Sequence, residues 1–182
     1  MKYAALLRGI NVGGKNMLPM KALAAIFEAT GCKNVETYIQ SGKVVFEASS
    51  ALAKRLPQRI SEAIAGRYGY QVPVIVRSAA ELRASAAGNP YLRESIPPNQ
   101  LHLYFLGEQP STAALTGLDP DRSLPDEFVV IGHDLYVRAP NGVGRSKLTN
   151  VYFESKLKVI CTARNWATVL RIREALGEAV KL

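Results

Sequence analysis

Short apolar runs alternate with segments of helical periodicity through the first half of the chain. Four runs rich in β-forming residues predict strands at residues 3–7, 35–40, 43–47 and 72–76. Apolar positions three or four residues apart predict a helix over residues 19–30 and a second helix from Ser49 or Ser50 to 66–69. The order strand, helix, strand, strand, helix, strand is that of a ferredoxin-like plait, whose helices cover one face of an antiparallel sheet.

The second half of the chain repeats this order without a clear last strand. The predicted strands are residues 101–106, 128–131 and 135–138, and the predicted helices are 111–115, 150–157 and 165–176. A degenerate strand near Val159 would complete the pattern. The predicted fold class is therefore α+β, with two ferredoxin-like halves built of antiparallel sheets and helices packed on one face.

Three segments follow from this organisation. A predicted capping box at Ser78 and Glu81 opens a helix to Ala87, and a loop with Pro97 and Pro98 comes after it. We predict an N-terminal plait with a glycine-rich basic loop (1–77) and a connecting helix with a proline-containing loop (78–99). The third segment is a C-terminal plait-like half with a second glycine-rich basic loop and a terminal helix (100–182).

Charge and cysteine content narrow the class of protein. The chain of 182 residues has 23 Lys and Arg against 15 Asp and Glu, so its net charge of +8 favours anionic partners or serves only solubility. Cys32 and Cys161 lie far apart at no metal-binding spacing, which is typical of a reducing compartment. No stretch approaches the roughly 20 apolar residues of a membrane span. We expect a cytoplasmic protein with no membrane partner, no metal and no cofactor.

The most distinctive segment, residues 8–16, joins the first predicted strand to the first predicted helix. Its glycines, Gly9, Gly13 and Gly14, permit positive φ angles and close approach of a ligand. The side chains that surround them with donors are those of Arg8, Asn11, Lys15 and Asn16. A loop of this kind favours an anion. It nearly matches the phosphate-binding loop of NTPases, but Asn16 replaces the hydroxyl that binds Mg²⁺ and the helix begins late, which argues against an NTPase.

Two further clusters carry similar chemistry. A second glycine-rich loop, residues 141–147, contains Arg145, Ser146 and Lys147, although such a loop also serves as a flexible connection with solvated charges. The cluster 162–166 is predicted to open the last helix, with Thr162 or Asn165 as its cap. Arg164 would then lie near a helix N-terminus, where a cation is unfavourable unless an anion binds.

Candidates for catalysis are few. His102 within a strand and His133 at a hairpin tip have no partner at metal-ligand spacing, so both are interpreted as structural. Gln40 and Ser41 at the first predicted hairpin are candidates for ligand contact, but no base for Ser41 is visible. The sequence assigns no catalytic residue and leaves open whether the protein is an enzyme.

Four motifs in order resemble those of a bacterial family catalogued as domain of unknown function 1697. They are Leu-Leu-Arg-Gly-Ile-Asn-Val-Gly-Gly-Lys-Asn (6–16), Thr-Tyr-Ile-Gln-Ser-Gly (37–42), Gly-Arg-Ser-Lys-Leu (144–148) and Thr-Ala-Arg-Asn-Trp (162–166). The resemblance implies a pair of ferredoxin-like plaits and no particular reaction. One departure is Lys43, where the family usually has Asn; if that Asn belongs to a site, the lysine changes its polarity and adds charge.

We therefore expect a protein that binds a small phosphate- or carboxylate-bearing ligand, a nucleotide among them, in a basic cleft between the two halves. Two alternatives stay open: single-stranded nucleic acid bound on a basic sheet surface, as in RNA-recognition motifs, or a protein-interaction module. The expected ligand-binding residues are Arg8, Gly9, Asn11, Gly13, Gly14, Lys15, Asn16, Gln40, Ser41, Arg145, Ser146, Lys147, Arg164 and Asn165.

Overall fold

A computed structural model describes residues 1–38, 42–93 and 95–177 of the chain, so the predicted Gln40 and Ser41 lie outside the described residues. The strands are β1 (Lys2–Leu7), β2 (Lys33–Tyr38), β3 (Lys43–Glu47), β4 (Val74–Ser78), β5 (Leu101–Leu106), β6 (Glu127–Ile131), β7 (Asp134–Arg138) and β8 (Cys161–Asn165). The α-helices are α1 (Met20–Ala29), α2 (Ser50–Tyr68), α3 (Ala79–Ala87), α4 (Thr112–Leu115), α5 (Asn150–Leu157) and α6 (Trp166–Ala175). Short 3₁₀ helices cover Pro98–Gln100 and Val143–Arg145.

The strands form two four-stranded antiparallel sheets with the same topology. One sheet has the order β2-β3-β1-β4 and the other has the order β6-β7-β5-β8. Each sheet follows the connectivity β-α-β-β-α-β along the chain, which is that of a ferredoxin-like plait. The predicted α+β fold class with two such halves is confirmed.

The last strand of the second sheet was predicted at the wrong place. It lies at Cys161–Asn165 rather than near Val159, and it pairs antiparallel with β5. The sequence did not reveal this strand because Arg164 and Asn165, at its end, are not typical strand residues. The Oδ1 atom of Asn165 accepts a hydrogen bond from the N–H of Thr168 (2.8 Å), so this residue both ends β8 and caps α6, as predicted for the cap.

Local signals account for the longest and best-defined helices. Ser49 caps α2 by accepting a hydrogen bond from the N–H of Leu52 (3.2 Å), and Gly69 ends the helix with a φ of 79°. The predicted capping box is present at α3, where the carboxylate of Glu81 accepts a 2.7 Å hydrogen bond from the N–H of Ser78. In the described part of the chain, none of the helices combines the length and the apolar character that crossing a membrane requires.

The chain divides into two compact units. The first comprises Met1–Arg83 together with the end of the chain from Ile172, and the second is Ala84–Arg171. The predicted segment boundaries at residues 77 and 100 stay a prediction.

The core of the first unit lies between its sheet and the helices α1 and α2. It contains Tyr3 and Leu7 of β1, Leu23 and Phe27 of α1, and Ile60 of α2. The opposite face of the sheet is buried as well: Ala4, Leu6, Val45 and Ile75 are all 6% exposed or less. This sheet therefore presents neither face of its central strands to solvent.

The core of the second unit is built in the same way. Tyr104 and Val137 pack with Phe153 and Leu157 of α5. On the opposite face, the hydroxyl of Tyr136 donates a 2.8 Å hydrogen bond to the carbonyl oxygen of Ser85 in α3, so a helix contacts this face too.

Candidate functional site

The first glycine-rich loop is a miniature β-hairpin between β1 and α1. Gly13 and Gly14 have φ angles of 57° and 72°, as a type I′ turn requires at both central positions. The N–H of Lys15 donates to the carbonyl oxygen of Val12 (3.0 Å), and the N–H of Asn11 donates to that of Asn16 (3.2 Å). The predicted positive φ angles of these glycines are present, and they place the turn at the exposed tip of the loop.

The two asparagines of this loop bind its own backbone. The side chain of Asn11 forms two hydrogen bonds with the backbone of Leu18, one from Nδ2 to the carbonyl oxygen (2.9 Å) and one to Oδ1 from the N–H (2.7 Å). The Nδ2 atom of Asn16 donates to the carbonyl oxygen of Gly9 (2.8 Å). Both residues also adopt positive φ angles, which asparagine tolerates better than most residues. Their main role visible here is to fix the loop, and a ligand contact from either one stays a prediction.

Apolar side chains anchor both ends of the loop in the core of the first unit. Ile10 is 2% exposed and Leu18 is 1% exposed. The hydroxyl of Tyr70 donates a 2.6 Å hydrogen bond to the carbonyl oxygen of Met17. Gly42 is confined as well, because a Cβ atom there would lie 3.0 Å from Ile10 Cδ1. The loop is therefore held by packing and by hydrogen bonds from residues distant in sequence.

Charge in this part of the chain has one sign. Residues 1–27 contain the cations Lys2, Arg8, Lys15 and Lys21, and no Asp or Glu. Lys15 and Lys21 are exposed and Arg8 is half-buried. An excess of cations in one stretch of the chain favours anionic partners.

A cavity of about 340 Å³ opens where this loop meets α1. Asn11 and Lys21 contribute its polar wall, and the remaining wall is apolar: Met17, Leu18, Pro19 and Met20. Met20 packs against the core, whereas Met17 is 56% exposed. Sequence reasoning missed this cavity; the signal for it was the apolar cluster Met17 to Met20, which begins three residues after Gly14.

The second glycine-rich loop has a different environment. Its Gly142 has a φ of 84°, and Val143–Arg145 forms a single 3₁₀ turn. The hydroxyl of Ser123 accepts a hydrogen bond from the N–H of Lys147 (2.9 Å) and donates one to Oδ2 of Asp126 (2.7 Å). A cavity of about 150 Å³ lies here, lined by Asp126, Arg145 and Ser146 among others.

Asp126 makes the second loop less suited to an anion than its sequence suggested. Its side chain is 6% exposed and brings a carboxylate to the wall of the cavity, while Arg145 and Lys147 are exposed. Neither Ser123 nor Asp126 was predicted. The available signal was the turn Ser-Leu-Pro-Asp, in which the N–H of Asp126 bonds to the carbonyl oxygen of Ser123 (2.8 Å).

Arg164 lies in β8, one residue before Asn165, which caps α6, so it does lie near the N-terminus of that helix. Its Nη1 atom donates hydrogen bonds to Thr162 Oγ1 (2.8 Å) and to the carbonyl oxygen of Ala163 (2.7 Å). Burial lowers the pKa of Arg164 to about 10, so the guanidinium is still charged at neutral pH. That an anion binds at Arg164 stays a prediction.

The candidates for catalysis have structural surroundings. His102 is 8% exposed, and burial lowers its pKa, which favours the neutral imidazole at pH 7. His133 is exposed at the β6–β7 turn. The carboxylate of Glu154 accepts a 2.9 Å hydrogen bond from the N–H of Cys161. None of these contacts assembles a nucleophile with a base.

Comparisons with known proteins identify the family and the fold. The family model described as "Protein of unknown function (DUF1697)" matches residues 1–136, which include the first glycine-rich loop but not the second. Among solved structures, a conserved bacterial protein from Streptococcus pneumoniae, SP0830, is similar, with 23% identity and a TM-score of 0.71. That similarity covers 96% of this chain and 98% of the other, and it shows a shared fold. No similar sequence is found among curated proteins.

Proposed function

The chain belongs to the family of proteins of unknown function DUF1697, and we propose that it binds a small phosphate- or carboxylate-bearing ligand at the first glycine-rich loop. The observation that carries the proposal is that the first glycine-rich loop is held in place by hydrogen bonds and packing, with glycines at its tip and Lys15 exposed beside them. No carboxylate occurs in the surrounding stretch of sequence.

The physical argument rests on preorganisation. A loop already held by Asn11, Asn16 and Tyr70 loses little conformational freedom when a ligand binds. Glycines without side chains let backbone N–H groups approach an anion closely. Lys15 adds a mobile ammonium that satisfies a phosphate or a carboxylate as a point charge.

The second loop supports the proposal less strongly. Arg145, Ser146 and Lys147 supply suitable donors, but the carboxylate of Asp126 repels an anion from the same cavity. That these residues, with Arg164 and Asn165, share one ligand with the first loop stays a prediction, and the variant Arg145→Ala tests it for the second loop.

The single-stranded nucleic-acid alternative finds no suitable surface on the central strands of the two described sheets. RNA-recognition motifs stack bases on exposed aromatic residues of a sheet. Here Leu6 of β1 and both Leu103 and Phe105 of β5 are fully buried on the faces opposite the helix-packed cores. These central strands therefore offer no open platform.

The experiment is calorimetric titration of the protein with pyrophosphate and with inorganic phosphate. Three variants are compared with the unchanged chain: Lys15→Ala, Arg145→Ala and Lys33→Ala. Lys33 is an exposed cation at the start of β2, outside the loop, so its removal controls for net charge. We expect Lys15→Ala to weaken pyrophosphate binding at least about tenfold, the loss expected for a hydrogen bond to a charged group. We expect Lys33→Ala to change it less than about twofold.

Each outcome separates the alternatives. Equal losses in Lys15→Ala and Lys33→Ala would reduce the effect to net charge and overturn the proposal. A loss in Arg145→Ala as large as that in Lys15→Ala would support one shared site. If only polynucleotides bind, with an affinity that falls steeply with salt, the nucleic-acid alternative replaces the proposal.

A further inference from the structure

We infer that the ligand is a nucleotide whose base occupies the cavity between the first glycine-rich loop and α1, with its phosphate near Lys15 and Lys21. This inference rests on the proposed function and names the class of ligand. It is carried by the shape and lining of the cavity at Met17, together with the charge around it.

The cavity has the properties of a site for an apolar group rather than for a bare anion. Its volume of about 340 Å³ lies at the lower end of the range for small-molecule pockets, which are mostly apolar with a few polar groups. Inorganic phosphate would leave the side chains of Met17, Pro19 and Met20 uncovered. A ligand with both an apolar part and an anionic part would use the whole site.

The exposure of Met17 points in the same direction. A methionine that is 56% exposed leaves apolar surface in water, and covering that surface is favourable. The chain has three methionines, and the two that follow Met1 both line this cavity. Their thioethers make favourable contacts with flat aromatic rings, which favours a heterocycle over an aliphatic chain.

Hydrogen bonds hold part of the cavity wall in place. Two hydrogen bonds join Asn11 and Leu18, and the carbonyl oxygen of Met17 accepts a hydrogen bond from the hydroxyl of Tyr70. The amide of Asn11 already forms one hydrogen bond through each of its polar atoms, and most of the remaining wall is apolar, so we expect the wall to recognise a ring by contact more than by hydrogen bonds. The four common bases should therefore bind with similar affinities.

The lysines at and near the cavity would orient the nucleotide by attracting its phosphate. Lys21 lines the cavity directly, and Lys15 precedes Met17 by only two residues. Residues 1–27 contain no carboxylate, so the charges that this stretch contributes to the cavity and its surroundings are all positive, which suits the phosphate of a nucleotide.

The test compares ligands that share the phosphate and differ in the ring. Calorimetric titrations use AMP, GMP, CMP, UMP, ribose 5-phosphate and adenosine on the unchanged protein, on Met17→Ala and on Val151→Ala. Val151 is an exposed apolar residue of α5 and serves as the control. We expect each nucleotide to bind about tenfold more tightly than ribose 5-phosphate, because only the nucleotide carries a ring that covers the apolar wall. We expect Met17→Ala to remove most of that difference and to leave ribose 5-phosphate unchanged.

The outcomes distinguish this inference from the proposed function. Equal affinities for the nucleotides and ribose 5-phosphate would overturn the nucleotide inference and keep the anion site. Binding of adenosine as tight as that of AMP would overturn the phosphate contact. If neither the nucleotides nor ribose 5-phosphate binds, both proposals fail. A loss of nucleotide affinity in Val151→Ala equal to that in Met17→Ala would also overturn the assignment to this cavity.

Discussion

The two glycine-rich basic loops have nearly the same composition, yet different contacts hold them. The first is anchored by apolar side chains, Ile10 and Leu18, and closed by an amide, Asn11. The second is held by a hydroxyl, Ser123, which connects the backbone of the loop to a buried carboxylate, Asp126.

This difference shows why a local pattern of glycines and cations does not define a site. The same residue types have different electrostatic surroundings: residues 1–27 around the first loop contain no carboxylate, whereas Asp126 lines the cavity at the second loop and offsets part of its positive charge. The surroundings come from residues remote in sequence, such as Tyr70 for the first loop and Ser123 for the second. Substitutions at three positions, Leu18, Asn11 and Asp126, test the contrast, beginning with the largest expected effect.

Truncating Leu18, which anchors the first loop in the core, should have the largest effect on stability. Leu18→Ala removes a side chain that is 1% exposed, and we expect a loss of about 3 kcal/mol in the free energy of unfolding, measured in urea. Met17→Ala, one residue earlier and exposed, should change it by less than about 0.5 kcal/mol. A loss below about 1 kcal/mol for Leu18→Ala would mean that the loop is not part of the core.

The hydrogen bonds between Asn11 and Leu18 should have the second-largest effect on stability. Two substitutions at Asn11 separate the contribution of these bonds from that of the backbone conformation. Asn11→Gly removes the hydrogen bonds to Leu18 but accepts the φ of 53°, and should cost about 1 kcal/mol. Asn11→Ala loses the same bonds and also strains the backbone, so it should cost about 1 kcal/mol more. Urea unfolding of both variants gives the comparison. Equal losses would show that the backbone conformation contributes nothing at this position.

Most of the fold followed from the sequence because its signals were local. Helix caps such as Ser49, the box at Ser78 and Glu81, and the apolar periodicity placed nearly every element close to its observed position. The exception was β8, whose polar end resembled a helix start. A strand of this kind is defined by its pairing with β5, which no local pattern reveals.

The site was predictable only in part, for the same reason. The positive φ angles of Gly13 and Gly14 follow from glycine itself, and they were predicted. The bonding of Asn11 to Leu18 depends on how the chain returns after the turn, and the sequence equally allowed a free amide. Asp126 lies 20 residues before Ser146, so its position beneath the second loop is a tertiary fact.

Removing the charge of Asp126 at the second loop should have the smallest of the three effects, and it compares the two loops most directly. Asp126→Asn keeps the size of the side chain and an oxygen that accepts from Ser123, so stability should change by less than about 1 kcal/mol. Removing the negative charge should tighten phosphate binding at this loop about fivefold, since a carboxylate no longer faces the anion. Amide chemical shifts of Gly142 and Ser146, followed by NMR during phosphate titration, report on this loop, and those of Gly13 and Gly14 report on the first.

The control for this substitution is Glu108→Gln, which removes an exposed carboxylate from the same unit without touching the cavity. If Glu108→Gln tightens binding as much as Asp126→Asn, the effect belongs to net charge and not to the position of the carboxylate. If Asp126→Asn tightens the phosphate binding reported by the amides of the second loop and leaves that reported by the first loop unchanged, the difference in anion affinity between the loops comes from this one buried side chain. A change of equal size at Gly13 and Gly14 would instead mean that the two loops respond to one bound ligand.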